Sequence, residues 1–129
     1  MTQRLFVYGT LKRGLSRHAA LAGQRFLGPG RTQPHYRLYV VADFPGLVRV
    51  ADGAGRSIRG EVWEVSEACL RRLDEIEGVA DALFYRAPVE LTPPFDDRPV
   101  LAYLYAAPVR RLREFPGDEW PYRSSHPAD

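Results

Sequence analysis

Ser66-Glu67-Ala68-Cys69-Leu70-Arg71-Arg72-Leu73-Asp74-Glu75-Ile76-Glu77-Gly78 organises the chain around itself. Ser66 has the side chain of an N-cap, and Glu67 puts an acid in the first turn, where the helix dipole favours one. Gly78 suits the position just beyond a helix, where a left-handed conformation is common. The spacing predicts a helix over 67–77. Directly before it, Ile58, Val62 and Trp63 mark a strand over 58–65. A strand running into a helix calls for a layered architecture in which a sheet covers the helix's apolar face.

Where that face points follows from about 100° of rotation per residue. With Leu70 at 0°, the residues Cys69, Leu73 and Ile76 centre an apolar stripe near ~290°. Asp74 falls about 110° and Glu75 about 150° from that centre, whereas Glu77 lies only about 50° away. Of three carboxylates in four positions, only Glu77 is aimed at the core side. A buried carboxylate costs several kcal/mol unless it is paired or its pKa rises, and a raised pKa is how a general base is made. The alternative is a side chain that bends to solvent or pairs with an arginine in the final turn.

Outward from the helix, short β-rich runs alternate with turns. Residues 4–8, 36–41, 47–50, 84–91 and 100–105 read as strands, and His18 to Leu21 as a single helical turn. Asp52-Gly53-Ala54-Gly55 reads as a hairpin turn between 47–50 and 58–65, and Pro93-Pro94-Phe95-Asp96-Asp97 as a loop. The tail from Pro116 is polar and proline-rich. Five to six strands with one main helix predict an α+β fold built on a small mixed-sheet β-barrel. The expected organisation is one domain over 1–110, with 111–129 a tail that packs on it or is partly irregular.

Composition bounds the function classes. The 129 residues are 45% hydrophobic and 26% charged, with 11 Gly and 11 Pro, which fits a turn-rich globular domain and argues against disorder. Cys69 is the single cysteine, so no internal disulfide forms, and no run has the length of a membrane span. With no signal-like start, the chain reads as soluble and cytoplasmic. The net charge of +2 conceals ten basic and two acidic residues in 1–60, against eight basic and fourteen acidic in 61–129. Arginine excess suits an anionic ligand or RNA, but no basic stripe is interleaved with aromatics, so nucleic acid is not expected.

Near the N-terminus, Phe6-Val7-Tyr8-Gly9-Thr10-Leu11 delivers a strand into a glycine turn. Such a turn can present backbone N–H groups to an anion or an oxyanion. It is not a phosphate-binding P-loop, because Leu15 stands where lysine is required, and Gly28-Pro29-Gly30 lacks the third glycine of a dinucleotide fingerprint.

Taken in order, Tyr8-Gly9-Thr10-Leu11-Lys12-Arg13-Gly14, Phe44-Pro45-Gly46, Leu73-Asp74-Glu75-Ile76-Glu77-Gly78 and Tyr85-Arg86 resemble the γ-glutamyl cyclotransferase-like family, γ-glutamylamine cyclotransferases included. The likeness covers most of 4–106. One departure is visible: Arg86 directly follows Tyr85, where family members carry an intervening residue. The resemblance implies a small mixed barrel with Glu77 as catalytic acid/base. It also implies a γ-glutamyl group held by Tyr8, Gly9, Thr10 and Leu11, with Tyr85 and Arg86 as further substrate contacts. The implied reaction is cleavage of a γ-glutamyl amide to 5-oxoproline and a free amine, with no metal or organic cofactor. A non-catalytic binder of the same fold is the other reading. The substrate's leaving amine and the oligomeric state are left open.

The other reactive side chains suggest less. His18, His35 and His126 lack metal-ligand spacing. Cys69 lies on the apolar helix face and reads as an inert core thiol. Tyr103 and Tyr105 share a strand face and either line a ligand pocket or pack. Trp120 and Tyr122 anchor the tail or cover the site.

Overall fold

The computed structural model describes residues 1–121. Eight strands form one curled mixed sheet: β1 (Thr2–Val7), β2 (Arg25–Arg31), β3 (Tyr36–Val40), β4 (Pro45–Arg49), β5 (Arg59–Ser66), β6 (Phe84–Pro88), β7 (Leu101–Tyr105) and β8 (Arg113–Glu114). The strand order is β2-β5-β1-β7-β4-β3-β8, with β6 paired to β7 off this path. One helix, α1 (Glu67–Ile76), continues from β5, and a 3₁₀ turn occupies His18–Leu21. The sheet curls into a half-barrel with α1 against one face, the expected α+β architecture with more strands than predicted.

The extra strands are β2 and the two-residue β8, which pairs with β3. The Gly28-Pro29-Gly30 of β2, weighed in the sequence only against a dinucleotide fingerprint, pairs with β5 across a register shift between Phe26 and Gly28. Proline lacks an N–H for the ladder, and it is tolerated here because β2 ends the strand order. The Asp52-Gly53 turn forms, with Ala54 N–H donating to Ala51 O at 3.0 Å, but it joins no hairpin. Instead β4 pairs with β3 and β7, while β5 pairs with β1 and β2. Turn chemistry names the bend; long-range burial chooses the partners.

β1 is buried on both faces. Phe6 and Tyr8 enter the barrel core with Leu38, Leu47 and Ala102, while Leu5 and Val7 pack toward Cys69, Leu70 and Leu73 of α1. The two-residue repeat of a strand separates these sets. Beyond β7 the chain stays with the body. Phe115 is buried, its N–H donates to Leu38 O at 2.8 Å, and Trp120 lies 5.1 Å from its ring.

The pairing of β7 positions the site. β6 runs antiparallel along the whole of β7, from Leu101 to Tyr105, and so fills one of its edges. The other edge is shared. β1 meets it in parallel at Leu5 and Leu101, and β4 meets it in parallel at Leu47 and Leu104. Two strands cannot follow one edge together, so β1 leaves where β4 joins, and the ladder is interrupted between them.

Candidate functional site

Tyr8 occupies that interruption. Its hydroxyl donates to Tyr103 O of β7 at 2.5 Å and accepts from Leu47 N–H of β4 at 3.1 Å, replacing the ladder bonds that neither strand supplies. The chain then turns through Gly9. Gly9 O accepts from Lys12 N–H at 3.1 Å and Thr10 O from Arg17 N–H at 2.9 Å; Leu11 O lies 3.0 Å from His18 Nδ1. A Cβ on Gly9 would stand 2.9 Å from Pro45 Cγ and 3.0 Å from Cδ, so glycine is what lets the loop close against the 44–46 segment. The two sequence segments, far apart in the chain, are the two lips of one cleft.

The cleft is narrow, with a cavity volume of about 20 Å³, and opens to solvent. Residues 7–11 form one wall, Phe44 and Pro45 another, and Phe84, Tyr103 and Glu77 complete it. Phe84 stacks edge-on to Tyr105 at 5.6 Å and lies 6.0 Å from Phe44, which makes that side aromatic. Tyr103 therefore lines the cleft, whereas Tyr105 packs behind it.

Glu77 reaches the cleft from the end of α1. Ser66 Oγ accepts from Cys69 N–H at 3.1 Å and caps the helix start as predicted. Glu77 is the C-cap residue, and Gly78 follows in the left-handed region at φ 67°. The helix therefore stops where the Glu77 side chain can turn toward the sheet. The buried residues are Cys69, Leu70 and Leu73, while Ile76, expected in the stripe, is 39% exposed. The buried face is rotated by about 15° from the predicted one, toward Leu70 and Glu77. The Glu77 side chain is 15% exposed, and among the described residues its ion-pair partner is Arg17, with Nη1 3.5 Å from Oε2. Burial pushes its carboxyl up to about 7, and the Arg17 charge only partly offsets that.

Burial also raises the Tyr8 hydroxyl, with the Leu47 N–H opposing and the Glu77 charge adding to the shift. It raises the Tyr103 hydroxyl too, helped by the hydrogen bond to Asp74. Both phenols stay protonated and serve as donors.

Tyr85 and Arg86, expected on the substrate, sit elsewhere. Neither lines the cleft. Tyr85 is 46% exposed, because the alternation of β6 turns it outward while Phe84 turns in. Arg86 binds Asp74 through both arms, Nε to Oδ1 at 2.9 Å and Nη2 to Oδ2 at 3.0 Å, and Tyr103 hydroxyl donates to Asp74 Oδ1 at 2.6 Å. Asp74, read as solvent-facing from the helix wheel, thus ties α1 to β6 and β7. Its signal was the Leu73-Asp74 pair itself, which no wheel interprets without the partner strand.

Phe44, which lines the cleft, and Arg17, which contacts Glu77 and Phe44 from beside it, are residues that periodicity missed, since both stand in loops. Cys69 is buried in the core with its thiol raised by burial, in keeping with an inert role. His35 lies 3.9 Å from Glu90 and away from the cleft. No three potential ligand side chains cluster for a metal among the described residues. Trp120 packs on Phe115 and is not a cleft residue. Tyr122 and His126 lie outside the described residues. No helix of the described chain is long and apolar enough to cross a membrane.

Comparison with known proteins shows the family. The family profile described as gamma-glutamyl cyclotransferase, AIG2-like, matches residues 5–122. The gamma-glutamylaminecyclotransferase of Homo sapiens is 39% identical over 89 residues, covering 64% of this chain and 57% of that one. The chain spans roughly half to two-thirds of the length of the curated relatives it matches. Among solved structures, an AIG2-like protein from Mus musculus superposes with a TM-score of 0.78 at 27% identity, over 98% of this chain and 92% of that one. A uropathogenic Escherichia coli-specific protein gives a TM-score of 0.74 at 33% identity, over 88% of this chain and 87% of that one.

Proposed function

Because the chain belongs to the AIG2-like gamma-glutamyl cyclotransferase family, we propose that it cleaves a γ-glutamyl amide, with Glu77 as acid and base, to give 5-oxoproline and a free amine. The observation that carries this reading is a single carboxylate, nearly buried in an aromatic-walled cleft beside a glycine turn, with its pKa raised to about 7. A carboxyl poised there exchanges protons at neutral pH, which an ordinary solvent-facing glutamate does poorly.

The substrate's α-amine has an ordinary pKa of about 7.7–8.0 and is mostly protonated at neutral pH. Glu77 takes one proton from this ammonium. The freed nitrogen attacks the γ-carbonyl carbon, a C–N bond forms and a five-membered ring closes. The carbonyl oxygen becomes an oxyanion, for which backbone N–H groups of Tyr8, Gly9, Thr10 and Leu11 are the candidate donors. As the amide C–N bond breaks, the Glu77 carboxyl returns its proton to the leaving nitrogen. A second proton passes the same way as the ring nitrogen becomes a lactam N–H, so the amine leaves as an ammonium. Ring closure is intramolecular, and a cleft that holds the glutamyl chain folded contributes much of the acceleration. Arg86 acts here through Asp74, by fixing the end of α1, rather than on the substrate. The reaction needs a small-molecule substrate and neither metal nor organic cofactor, and a soluble cytoplasmic protein over a single domain suits it.

The test is 5-oxoproline release from a panel of γ-glutamyl amides by the wild type and Glu77→Gln. The variant keeps its circular dichroism spectrum and loses at least about 10²-fold in turnover, the scale of a lost general base. Retained turnover in a folded Glu77→Gln protein would overturn the assignment.

A further inference from the structure

Arg17 lies against two residues of the cleft, Glu77 and Phe44, with most of its fork unspent. Its backbone is fixed, since its N–H donates to Thr10 O in the glycine turn. Its guanidinium lies 5.8 Å from the centre of the Phe44 ring. Only Nη1 meets oxygen, at 3.5 Å from Glu77 Oε2 and 3.5 Å from Ile76 O. Both contacts are long beside the ~2.7–2.9 Å of a good charge-assisted bond. Nε and Nη2 face no acceptor among the described residues, and the side chain is 40% exposed. A guanidinium offers five N–H donors in a rigid plane, matched to the two oxygens of a carboxylate. Arg86, by contrast, already spends that fork on Asp74.

The reaction identifies the anion that fits. Glu77 serves two nitrogens in turn, the α-amine and the leaving amine. The α-amine always bears a carboxylate on its own carbon. The leaving amine bears one too whenever it is an amino acid. By bond lengths alone, each such carboxylate lies about 3–4 Å from the nitrogen beside Glu77. Arg17 is offset from Glu77 by that same span.

We propose that Arg17 is a specificity-determining residue that binds a substrate carboxylate one carbon removed from the nitrogen Glu77 serves, exchanging its loose contact with Glu77 for a bidentate one. This rests on the cyclotransferase reading and narrows it: the preferred substrates are anionic γ-glutamyl compounds, with γ-glutamyl amino acids presenting the carboxylate twice.

Three probes separate the two carboxylates. γ-Glutamyl-alanine carries both, γ-glutamyl-ethylamide only the α-carboxylate, and the α-carboxamide of γ-glutamyl-ethylamide neither. In Arg17→Gln the KM for γ-glutamyl-alanine rises about 10–100-fold, the value of one charge-assisted bond, with a smaller change in kcat. If the leaving-amine carboxylate is the one bound, the ethylamide KM is unchanged. If it is the α-carboxylate, both KM values rise together and the carboxamide is indifferent to the substitution. Arg17→Lys recovers part of the loss through charge without the fork.

An unchanged KM for γ-glutamyl-alanine in Arg17→Gln would overturn the proposal. Calorimetric binding of γ-glutamyl-alanine to Glu77→Gln, with and without Arg17→Gln, gives a readout free of turnover and the same 10-fold or greater loss. Arg17-dependent binding by a protein that never releases 5-oxoproline would sink the cyclotransferase reading and leave the carboxylate site. Turnover with Arg17-independent KM and binding would do the reverse.

Discussion

Glu77 is where a helix-wheel argument and a physical site meet. Its carboxyl ordinarily titrates at 4.5 and does so near 7 in the folded chain. Between those values the folded state holds a proton that the unfolded state has released. The stability tied to this proton is complete below pH 4.5 and is lost as pH rises through about 7. Its full size is about 3 kcal/mol, from 1.36 kcal/mol per unit. Glu77→Gln, which cannot ionise, therefore matches the wild type in urea unfolding near pH 4.5 and exceeds its stability by up to about 3 kcal/mol at pH 8. An equal difference at both pH values would show that the carboxylate is not strained by burial. On the proposed role of Glu77, the same titration sets a lower limb for activity: turnover is expected to fall below pH 7 as the carboxylate is protonated. Glu77 was legible because it breaks a periodic pattern. Arg17 was not, because a loop residue has no period to violate and looked like one more member of an arginine-rich surface.

At the scale of elements, the unit that holds Glu77 in place is the junction of α1 with β6 and β7. Asp74 takes two bonds from Arg86 and a third from Tyr103, and Tyr103 hydroxyl also lies 3.3 Å from Leu70 O. The groups are about three-quarters shielded, with a bidentate geometry that lifts the pair above an ordinary surface bridge. A double-mutant cycle on Asp74→Asn and Arg86→Gln should return a coupling of about 1 kcal/mol. The singles should lower turnover severalfold while leaving the KM for γ-glutamyl amides nearly unchanged, as suits groups that orient the base rather than touch substrate. A rise in KM alone would return Arg86 to the substrate. Element existence was largely readable: caps, turns and alternation located α1, the 18–21 turn and most strands. Partner choice was not, since the Asp52-Gly53 turn has hairpin chemistry but flanks strands that pair elsewhere. β2 was hidden for a related reason, because glycine and proline announce turns unless an edge position makes them tolerable.

For the whole molecule, the decisive feature is the edge of β7 that β1 and β4 divide. Tyr8→Phe removes the hydroxyl that bridges them and leaves Leu47 N–H and Tyr103 O buried without their partner. The expected cost is about 1–3 kcal/mol in chemical denaturation, together with a wider, less active cleft. A neutral substitution would mean that the two strands hold the gap without it. The curled sheet itself was predictable from five or six short strands and one helix, whereas the split edge was not, because it is a property of register between segments nearly a hundred residues apart. That separation also sets an order in time. Chain leaving the ribosome lays down β1, β4 and α1 well before residues 101–105 exist to receive them. Until then the glycine turn has no floor, Tyr8 has no bridge to make, and the apolar side chains of 5–8 lack half their cover. The cleft is therefore a late product of synthesis, completed by a five-residue strand near the end of the described chain. In the ranking of folds by contact order, such non-local closure belongs with slow folders rather than fast ones.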